Sequence, residues 1–346
     1  MPSSLFLRFA LFCKRLIATR KACLTIKTGL LGFCLLTAHV GAWCQSTANF
    51  PTKPIRIIVP FPPGGSVDVV TRLIAPNFAD TIGQSVIIDN RGGASGNIGA
   101  EMVAHAPTDG YTLLAHTIPF VANNFLYSRM PYHPIKDFSP VSLLSSAPVL
   151  LVVHPSIPAR TLPQLLALAR AKPGTLNYSS AGSGTNHHIA GELLNYLAKI
   201  NLTVVQYKGG GPATIAALAG EVDITWPNMI AALPYTSSGR LRALAVTGTH
   251  RIPAIADIPT MNEAGVPGYE LTTWHGILAP LNTPTAIVNK LNDALVKAVR
   301  LPSLSERFTK EGADIIASTP SQFAQHLNAE FERWGQVIKE RKMRAE

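Results

Sequence analysis

Three stretches of this chain place glycines and hydroxyls between an apolar run and a helical pattern. They are "VPFPPGGSVDVVTRLIAP" (59–76), "SSAGSGTNHH" (179–188) and "YKGGGPAT" (207–214). A chain that repeats strand, glycine-rich turn and helix is restricted to few folds. "IRIIVPF" (55–61) and "SVIIDN" (85–90) are near-continuous apolar runs, as strands covered on both faces require. Between them Val69, Val70, Leu73, Ile74 and Phe78 recur at helical spacing. "YTLLAHT" (111–117), "VLLVVH" (149–154), "LNYSSA" (176–181), "LTVVQY" (202–207), "VDITW" (222–226) and "LRALAVTG" (241–248) read as further strands. Helices are predicted over 163–171, 187–199, 212–219 and 285–300, and from about Ser321 onward. Thr161 with Gln164, and Thr319 with Pro320 and Gln322, are helix-start signals. The last helix carries Phe323, Leu327, Phe331, Trp334 and Ile338 on one stripe, and its end, "KERKMRAE", reads as solvated. The pattern predicts an α/β fold with mostly parallel sheets and helices on both faces.

Glycine-rich turns into helices suit anions. The first N–H groups of a helix have no partner within it, and the macrodipole leaves about +0.5 charge there. Glycines admit close backbone approach, and Ser66, Ser183 or Thr185 can add hydroxyl donors. Ser66 reads as the cap of the first helix, and Asp68, one turn in, complements its dipole. Other uses of such loops are excluded by the residues present. No loop reads G-x-x-x-x-G-K-[ST], G-x-G-x-x-G or G-x-S-x-G, the signatures of a P-loop, a dinucleotide site and a hydrolase elbow. His187 and His188 point about 100° apart on a helix and cannot grip one metal from one face. One of the two can donate to a bound anion; the other serves packing. Asp109, Glu221 and Asp223 are scattered, so no acid/base pair assembles. The chain reads as a binding protein, not an enzyme, with no metal and no cofactor.

The first 42 residues stand apart. They hold six basic residues (Arg8, Lys14, Arg15, Arg20, Lys21, Lys27) and no Asp or Glu, followed by an uncharged apolar run to Trp43. That order matches a secretory signal peptide cleaved near Ala42, and the run is shorter than the ~20 apolar residues a membrane span needs. Removing six positive charges from the formal +10 leaves about +4, so nucleic acid is not called for. All four cysteines (Cys13, Cys23, Cys34, Cys44) lie in or beside the leader. The mature chain is therefore expected to have no internal disulfide and to be held by its core. Its length suits two domains of ordinary size.

The loops, with "VIIDNRGGASGNIGAEMVAHAPTDGYTLL", "NYSSAGSGTNHHIAGELL", "VVQYKGGGPATIAALAGEVDI" and "WHGILAPLNTP", resemble the Bug family. These are the extracytoplasmic solute-binding proteins of tripartite tricarboxylate transporters. The resemblance spans Pro51 to the C-terminus. It implies a two-lobed periplasmic-binding-protein architecture with a ligand cleft that closes on a hinge. Lobe 1 would be 43–147 with 276–346, and lobe 2 would be 148–275. The implied ligand is a small carboxylate: a di- or tricarboxylate, an amino acid or an aromatic acid. The implied ligand-binding residues are Pro62, Pro63, Gly64, Gly65, Ser66 and Asp68 on one lobe, and Ser179, Ala181, Gly182, Ser183, Thr185 and His188 on the other. The first loop departs from the family's frequent P-A-G-G by carrying Pro63. Trp226 either faces the cleft, narrowing it or stacking on a planar ligand, or packs beneath the hinge. His116, Asn123 and Asn124 follow a strand and could read a ligand's far end; of these Asn123 is taken as a site residue. The implied partners are membrane transporter subunits, and a monomer in the periplasm is expected. Two other readings use the same residues: a periplasmic sensor that presents its loaded form to a membrane receptor, and an exported small-molecule hydrolase.

Overall fold

Two mixed β-sheets organise the chain between Pro51 and Glu346. The computed structural model describes residues 49–310, 312–340 and 343. The expected leader (1–42), the four cysteines and most of "KERKMRAE" lie outside the described residues.

The first sheet has six strands: β1 (Ile55–Val59), β2 (Val86–Asn90), β3 (Thr112–His116), β4 (Phe138–Pro148), β10 (Thr272–Pro280) and β11 (Asp314–Ile315), in the order β11-β4-β10-β3-β1-β2. The second has five: β5 (Leu150–Val153), β6 (Asn177–Ser180), β7 (Thr203–Gln206), β8 (Ile224–Thr225) and β9 (Arg242–Val246), in the order β7-β6-β8-β5-β9. Each sheet is the centre of one lobe. The parallel character expected from sequence holds around β1 and β6, which pair parallel with β2, β3, β7 and β8. The strands nearest the crossings run antiparallel: β10 on β3 and β4, and β5 on β8 and β9. β1 is buried as its apolar run demands. β2 is an edge strand, and its Ile87 is 52% exposed.

The helices are α1 (Ser66–Ile82), α2 (Asn97–Ala104), α3 (Pro119–Leu126), α4 (Leu162–Ala171), α5 (Asn186–Ala198), α6 (Gly210–Ala219), α7 (Met229–Ser237), α8 (Thr285–Val299), α9 (Pro302–Lys310) and α10 (Pro320–Glu340); α2, α3, α7 and α9 are not among those expected from sequence. The α10 start is a reciprocal capping box. Gln322 N donates to Thr319 Oγ1 at 3.2 Å and Thr319 N donates to Gln322 Oε1 at 2.9 Å. At α4 Thr161 accepts from Gln164 N, but the Gln164 side chain reaches one residue further back, to Arg160 N.

The chain leaves the first sheet at Pro148, enters the second at Leu150, and re-enters the first at Thr272. Thr247, fully buried, ties the two crossings together. Val149 N donates to Thr247 Oγ1 at 2.9 Å, and the hydroxyl donates to Leu271 O at 2.6 Å. Leu271 N in turn donates to Thr247 O. Among the described residues no helix is long and apolar enough to cross a membrane.

Candidate functional site

The loop Pro62–Gly65 is shaped by what holds it. Gly64 has φ +83°, a left-handed conformation that suits glycine, and Gly65 is the N-cap of α1. Ser66 is the first helical residue and makes no capping bond, so the expected cap role passes elsewhere. Asp68, 3% exposed, holds the loop instead of capping the helix: its Oδ2 accepts from Gly64 N at 3.0 Å. Its Oδ1 accepts from Asn90 Nδ2 (2.8 Å) and Arg72 Nε (2.9 Å), and Asn90 Nδ2 also donates to Phe61 O. The carboxylate thus braces the loop against the end of β2 and does not face the space above it.

The second loop is held in the same manner. Gly182 and Gly184 have φ +121° and +76°. Thr185, the N-cap of α5, donates its hydroxyl to Gly182 O at 2.7 Å, and Gly184 N donates to His188 Nδ1 at 3.1 Å. His188 is therefore a brace. Its neighbour His187 faces the cleft.

The third loop meets the first. Gly209 lies against Pro62, Gly211 against Pro63 O and Gly210 against Gly65 Cα, while Gly184 lies against Asn123 and Leu126 of α3. A side chain on these glycines would stand between the lobes. A Cβ at Gly184 would overlap Asn123 Oδ1. We expect Gly184→Ala to weaken ligand affinity roughly 5–100-fold, the range set by overpacking a close contact. Calorimetric titration beside a melting curve checks this. Unchanged affinity would show that the contact plays no part in closure.

Five helix starts border one cleft. They contribute Ser66 and Val67 (α1), Pro119 (α3), Asn186 and His187 (α5), Gly210 (α6), and Asn228, the N-cap of α7. Helix N-termini at a cleft give an anion partial positive charge and free N–H donors; α3 adds no donor, because Pro119 has no N–H and Phe120 N already donates to Thr117 O. Among the described residues lining the cleft there is no Lys, Arg, Asp or Glu. Four lining side chains also bury a polar atom that makes no hydrogen bond: Thr117 Oγ1, Asn186 Oδ1, His187 Nε2 and Trp226 Nε1. Leaving buried polar atoms unpaired is costly, so their clustering points to a polar ligand. Burial also lowers the His187 pKa from 6.5 to about 4, which keeps the ring neutral.

The predicted site residues divide by position. Gly64, Gly65, Ser66, Ala181, Thr185 and Trp226 line the cleft. Pro62, Ala181 and Gly182 line an adjoining recess beside Lys208. Pro63 sits at the contact with Gly211. Ser179 donates to Thr225 Oγ1 inside its lobe, and Ser183 lines neither space. Asn123 donates to Ser95 O and Asn97 Oδ1 and faces Gly184 across the lobes. His116 is buried between Phe61 and Phe120. Trp226 is fully buried, packs edge-on to Tyr178 of β6 at 5.3 Å and borders the cleft. Sequence reasoning overlooked Thr117, Asn186, Asn228 and Thr273 as lining residues. The one available signal was that Asn186 and Asn228 sit where helices begin.

Residues 70–343 match the family model described as "Tripartite tricarboxylate transporter family receptor". A protein of Pseudomonas sp. (strain P51), the UPF0065 protein in the tcbD-tcbE intergenic region, is 38% identical over 91% of this chain and 94% of its own length. Protein BugT of Bordetella pertussis is 34% identical over 90% of this chain and 96% of its own. Among solved structures, R. palustris Rpa4515 with adipate superposes with a TM-score of 0.83 at 37% identity, covering 86% of this chain and 99% of that one. MatC (Rpa3494) from Rhodopseudomonas palustris with bound malate gives 0.80 at 36% identity, covering 84% and 100%. The fold, the cleft and these likenesses agree: the chain belongs to the Bug family of tripartite tricarboxylate transporter receptors and is a solute-binding protein, not an enzyme.

Proposed function

We propose that the protein captures a small carboxylate between its lobes in the periplasm and delivers it to the membrane subunits of a tripartite tricarboxylate-type transporter. The observation that carries this reading is that the starts of α1, α5, α6 and α7 border a cleft lined, among the described residues, by no formal charge. Such a site holds an anion by fixed N–H donors and by excluding water once closed, without a cation of its own. Adipate and malate, bound by two relatives, are both carboxylates. In this reading the hinge is the pair of crossings tied by Thr247, and Pro62–Gly65 and Ala181–Thr185 are the two jaws.

The test is a thermal-shift panel of dicarboxylates, citrate, amino acids and aromatic acids, each beside its amide, on protein refolded to remove carried-over ligand. At a concentration about 100 times Kd a ligand adds about 2.7 kcal/mol, which raises Tm by roughly 5–10 °C at this size. The acid is expected to give that rise and its amide none. Equal shifts from both would sink the anion reading. Transport by membranes carrying the cognate subunits, dependent on this protein, tests delivery separately.

A further inference from the structure

We propose that Ser95 and Asn123 form a clasp between the lobes, apart from the ligand cleft, that seats the loop Gly93–Gly96 against Gly182 and Gly184. The inference rests on the hinge closure proposed above, not on the chemistry of the ligand. Four successive residues of the loop have positive φ: Gly93 (+137°), Ala94 (+46°), Ser95 (+53°) and Gly96 (+98°). Glycine takes this conformation freely, whereas a residue with a Cβ is strained in it, so Ala94 and Ser95 stand here at a cost. Such strain persists only where neighbours over-determine the backbone, and it clusters at clamps and switches.

The neighbours here are on α2 and α3. Asn123 Nδ2 donates to Ser95 O at 3.1 Å and to Asn97 Oδ1 at 2.8 Å. Ser95 O is a backbone carbonyl and can only accept, so it fixes which end of the Asn123 amide faces it. The Tyr127 hydroxyl donates to Ser95 Oγ at 3.2 Å, and Gly96 N donates to Gly93 O at 3.0 Å. Held this way, the loop meets the second jaw where that jaw has no side chains. A Cβ at Gly182 would lie 2.9 Å from Ser95 Oγ, and one at Gly184 would overlap Asn123 Oδ1 and Leu126. Side chains of one lobe therefore seat in two glycine gaps of the other. Ser95 and Gly182 line the adjoining recess, and neither they nor Asn123 line the ligand cleft. At Gly184 the contact adds shape and no hydrogen bond, because Asn123 Oδ1 is buried without a partner. The clasp fixes where the lobes meet without locking them.

Hydrogen exchange of the ligand-free mature protein, read by mass spectrometry on peptides spanning 92–97 and 179–188, tests this. Ser95→Gly removes the seated side chain, and exchange in 179–188 should rise roughly 3–10-fold, the weight of one such contact. Its Tm should change little, because relief of the left-handed strain offsets the lost hydrogen bond. Tyr127→Phe, which frees Ser95 Oγ and leaves the loop's own residues intact, should raise exchange in 179–188 in the same direction. A loop that serves its own lobe alone would speed exchange in 92–97 and leave 179–188 unchanged in both variants. That result overturns the proposal. Should Ser95→Gly fail to fold, Tyr127→Phe decides. Stopped-flow dissociation of adipate and malate, the acids bound in two related structures, should quicken by a similar factor in both variants. An acid that binds and leaves at the wild-type rate from both variants also overturns the clasp. Failure of both acids to bind bears on the carboxylate reading alone, and the exchange result still decides.

Discussion

Replacing Glu330 by alanine is expected to destabilise the protein by about 3–5 kcal/mol, one of the larger effects available to a single substitution. Glu330 is 7% exposed, and its Oε2 accepts from two indoles, Trp274 Nε1 at 3.0 Å and Trp334 Nε1 at 2.9 Å. Both tryptophans are 2% exposed. Alanine would leave two buried N–H groups with no acceptor, each costing about 1–3 kcal/mol. Glutamine still presents one oxygen with two lone pairs, so Glu330→Gln should cost less than about 1.5 kcal/mol. The pairing with Arg333, at 3.5 Å and with that side chain 42% exposed, adds little. Denaturant midpoints of the two variants check this, and a Tm fall of roughly 6–15 °C should accompany the alanine. Equal destabilisation by alanine and glutamine would show that the charge, not the acceptor, matters. Trp274 adjoins Thr273, a cleft residue on β10, so this anchor joins α10 to the strand that carries one wall of the site.

Glu330 also shows where the sequence misleads. The stripe read along α10 put Phe331 on the buried face. The structure buries Phe323, Leu327, Glu330, Trp334 and Ile338, and Phe331, half-buried, packs on Phe125 at 4.6 Å and against the same core; what the stripe left out is Glu330. Hydrophobicity is a proxy for burial, and it fails where a carboxylate is buried for its acceptor. The same limit hid β4 and β10. "FSPVSLLSSAP" breaks its apolar pattern with serines, yet Ser142 is fully buried because it donates to Ser318 O at 2.9 Å. In β10, Gly276 lets the Phe323 ring lie against the backbone, so a residue that weakens a strand by propensity is the one this strand needs. The regular βα units read well because apolar runs and glycine turns are local signals. The cleft was legible only as a set of helix starts. Which side chains point into it depends on how loops from both lobes meet. The adjacent pair His187 and His188 illustrates this, one lining the cleft and the other holding Gly184.

Acid should unfold this protein earlier than its carboxylates alone would, because His116 and His275 are buried neutral and His187, half-buried at the cleft, is also held neutral. Burial lowers the pKa of His187 and of His275 from 6.5 to about 4, and that of His116 to about 3. His275 sits on β10 beside Ser145, and His116 is packed between aromatic rings. The unfolded chain takes up these protons as pH falls through about 6.5, whereas the native state refuses them until about 4 or below. Stability from the neutral rings is therefore complete above about 6.5 and is lost on the way down to about 4. The slope is up to about 1.4 kcal/mol per pH unit for each fully buried ring, or about 2 kcal/mol apiece between pH 7.5 and 5. Urea unfolding at pH 7.5, 6 and 5 should show a loss of about 4 kcal/mol from His116 and His275, with a smaller contribution from His187 that His187→Gln removes. Stability that stays flat over this range would mean that the rings are solvated. Ligand should oppose the loss at one position only. A carboxylate held beside His187 favours its protonated form and raises its pKa. For an acid ionised throughout the range, the Tm gain on binding is then larger at pH 5 than at pH 7.5, and His187→Gln abolishes the difference.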